Sequence, residues 1–340
     1  MRKLLNTLYV TTSNAYLTKD GTNVVVSVEG AEMFRIPIMN IEAIVSFSYM
    51  GASPGLMKLC TDNGVSLTFM TPQGRFISRV QGPIRGNVLL RMRQYELAKE
   101  PESCLRLSSI MIAGKIQNSR AILKRYLRDY GNNAEVERVT EILLRKKSAS
   151  LKASDLDQLR GIEGDAANEY FSVFSNLIVQ QRADFSFAGR NRRPPKDAVN
   201  AMLSFTYTLL ANDIAAALET VGLDPYVGFL HTLRPGRTSL ALDLEEEIRA
   251  YLCDRLVLSM INLKQVSKDD FLMQGDQGVI LTDSARKTLL STWQSRKKEQ
   301  IMHPYLKEKV PIGLIPYAQA ILLARFIRGD IDDYPVFLIA

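Results

Sequence analysis

The hydrophobic period of this chain changes once, at Gly82-Pro83, and that change limits the folds open to it. Before it, apolar residues come in short β-branched or aromatic runs: Leu8-Tyr9-Val10, Ala15-Tyr16-Leu17, Val24-Val25-Val26, Phe34 to Ile38, Ala43 to Phe47, Val65 to Met70 and Arg75 to Val80. Turn chemistry separates them at Lys19-Asp20-Gly21-Thr22, Glu29-Gly30 and Pro72-Gln73-Gly74, which is the pattern of strands and tight turns. A short helix from Pro54 to Asn63 interrupts, with Leu56, Met57, Leu59 and Cys60 turned inward. After the change, apolar positions recur at three and four. That period predicts helices over 86–100, 102–129, 134–148, 155–180, 197–221, 243–265, 283–299 and 314–328. Arg190 to Pro195 and Gly222 to Gly236 break the helical series, and Phe271 to Leu281, centred on Gly275-Asp276-Gln277-Gly278, reads as a small hairpin. The expected fold class is α+β: a small, mostly-β N-terminal domain over residues 1–84, then a larger all-α domain over 85–340.

Composition narrows the class. Hydrophobic residues make up 46% of the 340 and charged ones 23%, the balance of a globular chain rather than a disordered one. No uncharged apolar run reaches the roughly 18 residues that span a bilayer. Polar Asn6, Thr7, Thr11, Thr12 and Ser13 follow the basic start Met1-Arg2-Lys3-Leu4-Leu5 and break any signal core. No membrane association is expected. Cys60, Cys104 and Cys253 lie far apart and are odd in number, which excludes a disulfide scaffold or a zinc site of cysteine pairs and favours a reducing cytoplasm. A net charge of +7 leans toward a polyanionic partner.

Three places put chemistry-bearing residues in unusual settings. His231 closes the apolar run Tyr226 to Leu230 and enters the loop Thr232 to Arg237. By itself it reads as a core-edge histidine satisfied by a backbone carbonyl. Downstream, Leu242 to Arg249 opens a helix whose apolar stripe is Leu244, Ile248, Tyr251 and Leu252. Asp243 and Glu246 stand three apart there, so their carboxylates share a face of its first turn. Acids at a helix start complement its dipole. Four within five residues, twelve to sixteen positions after a loop histidine, exceed that need and suit a hard divalent cation with one imidazole. The third place is Glu163, which heads a helical stripe with Ala167, Tyr170 and Phe174. A carboxylate on a buried face must be protonated, paired or metal-bound, and Arg160 or a metal would satisfy it. Asp165 and Glu169 lie elsewhere around that helix and read as surface acids.

Basic residues form a fourth constellation. Arg182, Arg190, Arg192, Arg193 and Lys196 accompany Phe185 and Phe187 in an expected loop. Lys124, Arg125 and Arg128 line one helix, Arg145 to Lys147 end another, and Arg286-Lys287 with Arg296 to Lys298 flank Trp293. Such runs are usually solvated helix faces, but several together favour binding to a phosphate backbone. The sequence holds no P-loop, Rossmann glycine fingerprint, zinc-finger spacing or G-x-S-x-G elbow.

Four blocks then occur in one order. They are Ile162-Glu163-Gly164 with Ala166-Ala167 and Tyr170-Phe171; Pro194-Pro195 with Asn200 to Phe205; Gly228-Phe229-Leu230-His231; and Ser239 to Leu244 with Glu246 and Arg249. In that order they resemble the CRISPR-associated adaptation endonucleases, the integrase subunits that capture spacers in bacterial and archaeal immunity. The resemblance covers the whole chain, because that family also pairs a β N-terminal domain with a helical C-terminal one. The run Arg192 to Pro195 and the last block look most like the type I-C branch. The resemblance implies a divalent cation, Mg or Mn, held by Glu163, His231 and Glu246, with Asp243 as a neighbouring acid that is a less certain ligand. It implies a homodimer formed through the β domains, two of which clamp a small ferredoxin-like adaptation subunit around a prespacer duplex of double-stranded DNA. The implied reaction is attack by a prespacer 3′-hydroxyl, or by water, on a phosphodiester at a CRISPR repeat border. His231 is read as a ligand, with general acid as its alternative role. Arg190, Arg192, Arg193, Lys196 and Arg237 are the expected backbone contacts, with a structural salt bridge to the acids at 245–247 as the equal alternative for Arg237. A branched-DNA repair nuclease and a non-catalytic nucleic-acid-binding scaffold are the competing functions.

Overall fold

The computed structural model describes residues 6–83, 88–191, 194–275 and 278–339. Arg192, Arg193, the hairpin tip Asp276-Gln277 and the expected domain boundary at 84/85 fall outside the described residues. The N-terminal elements are β1 (Thr7–Val10), β2 (Ala15–Asp20), β3 (Asn23–Val28), β4 (Ala31–Pro37), β5 (Ala43–Ser46), α1 (Pro54–Asp62), β6 (Ser66–Met70) and β7 (Phe76–Val80). Helices follow: α2 (Val88–Leu97), α3 (Pro101–Tyr130), α4 (Ala134–Ser150), α5 (Leu156–Ser172), α6 (Ala198–Val221), α7 (Ser239–Arg249) and α8 (Arg255–Asn262). The chain ends with β8 (Phe271–Met273), β9 (Val279–Leu281), α9 (Asp283–Lys298), β10 (Gln300–Met302), β11 (Lys309–Pro311) and α10 (Ile315–Arg328).

Two compact units result: Met1–Arg85 with Leu281–Glu299, and Gly86–Ile280 with Gln300–Ala340. In the first, β2-β3-β4 form an antiparallel sheet, while β1-β5-β6-β7 form a second in which β1, β5 and β6 run parallel. Parallel neighbours need a crossover, and α1 supplies it between β5 and β6. Ser53 caps α1 by accepting from the Leu56 amide, and Pro54 fits the first turn, where no amide is needed. Leu17, Val24, Ile44, Leu56 and Leu67 meet in the core of this unit, each burial being worth about 1.5–3 kcal/mol.

Helix α9, assigned from its period to the helical domain, folds instead with the strands. Its apolar stripe Ala285, Leu289, Leu290 and Trp293 is buried in that unit. The basic cluster around Trp293 is therefore partly core rather than a free cationic face: Arg286 donates to the Pro72 carbonyl and lies over the Phe47 ring, and Lys297 is also buried.

In the second unit Asn133, Asp155 and Asp197 cap α4, α5 and α6 with side-chain oxygens. Helix α6 is long and apolar enough to cross a bilayer by composition, yet 67% of that stretch is buried as a core helix. The expected helix over 155–180 stops at Ser172 and tightens into a 3₁₀ turn at Phe174–Leu177. The tighter turn brings Phe174 against Tyr170, Phe171 and Phe187. Phe185 and Phe187 are thus core residues. The expected helix over 243–265 starts four residues earlier, at Ser239, and passes through a π-helical turn at Ala250–Asp254. Strands β8 and β9 pair as expected for Phe271 to Leu281, whereas the three-residue strands β10 and β11 were too short to show a period.

Candidate active site

The early start of α7 changes the meaning of its acids. Asp243, Glu245, Glu246 and Glu247 lie inside the helix and all are buried, so they are not a dipole complement at its first turn. A buried carboxylate needs partners, and the partners separate the roles. Asp243 Oδ2 accepts from the amides of Phe229 at 2.6 Å and Leu230 at 3.1 Å. Its Oδ1 accepts from the His231 amide at 3.0 Å and meets His231 Nδ1 at 2.6 Å. Both oxygens are committed to the loop. In this structure Asp243 holds the loop that carries His231. The loop fits because of Gly228: a Cβ there would sit 2.5 Å from Asp243 Oδ2 and 2.7 Å from the Ser239 carbonyl carbon.

Nδ1 of His231 faces the Asp243 carboxylate, so Nε2 is the ring nitrogen turned toward Glu246. The His231 side chain is 21% exposed, and Nε2 lies 4.0 Å from Glu246 Oε1. Arg249, one turn on, grips Glu246 with both terminal nitrogens, at 3.1 and 3.0 Å. Burial opposes the charge of Glu246, but Arg249, Lys115 and His231 outweigh it and hold its carboxyl well below the usual range. Lys115 of α3 reaches Glu246 Oε2 at 2.8 Å and pairs also with Glu163 of α5. Glu163 keeps 26% of its side chain exposed. Arg160, the cation expected near it, turns instead to Asp157 and to the Leu230 carbonyl, where it supports the histidine loop. Glu163, His231 and Glu246 are therefore brought together from three separate segments, around an ammonium.

Among the described residues no three His, Cys, Asp or Glu side chains stand close enough as placed to share an ion. Lys115 stands between the two carboxylates, paired with both. The donor chemistry still fits a dication. It offers one imidazole nitrogen and two carboxylates, donor types that a dication takes. Glu247 faces another neighbourhood. It accepts from Tyr334, Gln319 and the Phe337 amide, and burial outweighs these bonds to push its carboxyl up to about 7. It clasps the C-terminal segment, with Asn118 of α3 donating to the carbonyls of both Glu247 and Phe337.

The basic residues divide likewise. Arg190 donates to Asn200 Oδ1 and Ser204 Oγ, at 2.8 and 3.1 Å, and its guanidinium lies 5.2 Å from the Tyr207 ring centre. Arg249 lies 5.4 Å from the same ring centre. Arg190 is thus tied into the scaffold behind the site. Asn200 latches that loop by bonding Gly189, Asn191 and Arg190. Lys196 is exposed, and Arg237 is half-buried just before α7. Sequence reasoning passed over Lys115, although a lysine on the stripe of Met111, Ile112, Asn118, Ser119 and Ile122 in α3 was a visible signal.

The family described as CRISPR associated protein Cas1 matches residues 8–295. CRISPR-associated endonuclease Cas1 2 of Rhodospirillum rubrum is 50% identical over 345 residues, covering 98% of this chain and 98% of its own. Among solved structures, a Cas1 protein from Thermotoga maritima shares the fold with a TM-score of 0.82 at 22% identity, over 98% of this chain and 100% of that one. A casposase bound to integration product gives 0.84 at 20% identity, over 96% and 92%. The order of the blocks, the strand-then-helix architecture and these matches agree: the chain belongs to the Cas1 family of CRISPR-associated endonucleases.

Proposed function

We propose that this chain inserts prespacer DNA into a CRISPR array, a 3′-hydroxyl of the prespacer attacking a phosphodiester at the repeat border, with hydrolysis when water takes its place. The observation that carries the reading is that Glu163 and Glu246 share one cation beside Nε2 of His231. Glu163, His231 and Glu246 would hold the divalent cation, Mg or Mn. Bound there, it supplies the charge that stabilises the transferring phosphoryl group and the leaving oxygen. Asp243 fixes the imidazole tautomer, and Arg249 fixes the Glu246 carboxylate against rotation. Lys196, Arg237 and the Arg192-Arg193 pair would position double-stranded DNA through its phosphates without reading bases.

Exposed apolar residues support a homodimer through the N-terminal unit. The edge strand β4 presents Met33 and Phe34 to solvent, and the edge strand β7 presents Phe76 and Ile77. Such edges are usually covered or charged. Two dimers would clamp a small ferredoxin-like adaptation subunit, in the cytoplasm. The wording of the Arg192 to Pro195 run and of the α7 block places the chain, on this reading, nearest the type I-C branch.

The test is strand transfer of a labelled prespacer into repeat-bearing, repeat-free and branched targets, with Mg²⁺, with Mn²⁺ and with chelator. Glu163→Gln, His231→Ala and Glu246→Gln should each abolish metal-dependent joining and leave duplex binding largely intact. Full activity in all three variants refutes the site. Preference for junctions over repeat borders would make it a repair nuclease, and no metal-dependent cleavage or joining would make it a scaffold.

A further inference from the structure

Lys115 is 5% exposed and comes from the middle of α3, a helix that otherwise turns apolar and small polar groups to the interior at that level. A buried ammonium is unfavourable unless paired, and this one is paired twice, with Glu163 and with Glu246. The same two carboxylates are the anionic members of the proposed ligand set. They cannot give their inner oxygens to an ammonium and to a dication at once. Beside Lys115 lies a cavity of about 10 Å³, lined also by Ser119, Ala166, Tyr170, Arg249 and Asp254. That is the room of one water molecule, and an ammonium head is of that size. Asp254 among its lining residues accepts from the Tyr207 and Tyr170 hydroxyls.

We infer that Lys115 is a built-in stand-in for the dication: it neutralises the Glu163–Glu246 pair before the metal arrives, then yields both carboxylates and withdraws its ammonium into the adjoining cavity. The inference rests on the metal site proposed above. Its consequence is that the chain binds metal by exchange of one cation for another. The carboxylates stay converged in the metal-free protein, and the apparent affinity is lowered by the fraction of time the ammonium holds them. A permanent ligand-shell lysine would not have this signature, nor would one that only braces α3 against α5 and α7.

The test uses the full chain without DNA, so that no activity enters the readout. Mn²⁺ is titrated calorimetrically into the protein, into Lys115→Met and into Lys115→Arg, and melting is followed with chelator and with Mn²⁺. Lys115→Met should bind Mn²⁺ more tightly by about tenfold or more. Its melting temperature should fall in chelator, where two carboxylates face each other unneutralised, and recover with Mn²⁺. Lys115→Arg keeps a competing cation and should keep the weaker affinity and the metal-free stability. Unchanged or weaker Mn²⁺ affinity in Lys115→Met overturns the inference. Should Lys115→Met fail to fold, a crystal structure of the unsubstituted chain with Mn²⁺ decides. The ammonium must have left both carboxylates, and an ammonium still bridging them refutes the exchange. If the unsubstituted chain takes up no Mn²⁺ that Glu246→Gln would abolish, the metal site itself is wrong, a failure distinct from that of Lys115.

Discussion

Replacing Asp243 by asparagine changes one atom of its side chain and should open the loop that carries His231. The carboxylate accepts four donors, two on each oxygen: the amides of Phe229, Leu230 and His231, and the imidazole Nδ1. An amide offers one oxygen and one NH₂ group, so in either orientation two of the bonds to the charged carboxylate are lost: those of the Phe229 and Leu230 amides, or those of the His231 amide and an imidazole that must then change tautomer. A buried hydrogen bond to a charged group contributes about 1.5 kcal/mol at the low end, which puts the loss near 3 kcal/mol. If the loop opens locally, that is about a hundredfold more population of the open form. The assay is amide hydrogen exchange on the peptide spanning Val227 to Thr232, in chelator. Protection of Phe229, Leu230 and His231 should fall by about two decades, with Asp165→Asn as an exposed-acid control that changes nothing. Mn²⁺ affinity should fall by about ten- to hundredfold, as when the group orienting a ligating histidine is lost. Unchanged exchange in chelator, with only the metal affinity reduced, would mean that Asp243 acts as a direct ligand. The clasp assigned to it would then be refuted.

Other perturbations reach the same site from different directions. Gly228→Ala places a methyl group 2.5 Å from Asp243 Oδ2 and 2.9 Å from the Leu240 amide nitrogen; overpacking of this kind costs about 1–3 kcal/mol, and strand transfer should be lost while the far-ultraviolet dichroism spectrum is unchanged. Burial pushes the Asp254 carboxyl up to about 6 from an ordinary 3.8, against the opposing bonds of Tyr207 and Tyr170. The folded chain therefore holds that proton after the unfolded chain has released it, and this contribution is present below pH 4 and lost as pH rises through 6, by about 3 kcal/mol at most. Asp254→Asn should flatten that part of the plot of melting temperature against pH, and equal slopes in the two proteins would contradict the assignment. Lys196→Ala should weaken duplex binding and lower the slope of log affinity against log salt by about one; an unchanged slope removes Lys196 from the DNA contacts.

Period and turn chemistry made most of the elements legible in the sequence, because strands and helices differ in how apolar residues recur and few residues here contradict the local pattern. What was illegible was contact across distance. The period of α9 is helical whichever unit buries Trp293, so its placement with the strands had no local trace. The stripe Glu163, Ala167, Tyr170 and Phe174 assumed one helix, and the aromatic packing that bends the chain at Val173 depends on Phe187, which lies beyond the next turn. At the site, Glu163 could be singled out as a carboxylate heading an otherwise apolar stripe and the acids after Leu242 by their density, whereas His231 alone reads as an ordinary core-edge histidine and the set of three came from the family resemblance. Asp243 and Arg160 could not be assigned, since residues of the same charge and spacing serve equally as ligand, counter-ion or clasp. Only their partners distinguish them: backbone amides for Asp243, and the Leu230 carbonyl for Arg160.

The π-helical turn at Ala250–Asp254 shows how a feature with no sequence signature governs the site. Arg249 and Asp254 are five residues apart, and on an α-helix that spacing rotates them by about 140°, onto different faces. A turn closed by i→i+5 bonds brings such a pair back onto nearly one face. Both then address Tyr207 of α6: Asp254 accepts its hydroxyl at 2.6 Å, and Arg249 lies against its ring. Tyr170 of α5 gives Asp254 its second hydroxyl, at 3.1 Å. The consequence runs back to the chemistry. Arg249 is held by the Tyr207 ring on one side and by Glu246 on the other, so the carboxylate that must meet the cation is fixed through α6 rather than through α7 alone. Deleting Leu252 would restore α-helical phase and shorten the connection, at the cost of this shared face. The expected result is a folded chain in which Arg249 no longer chelates Glu246 and in which Mn²⁺ affinity drops. Retention of full Mn²⁺ affinity after that deletion would show that the π-turn is dispensable for the site.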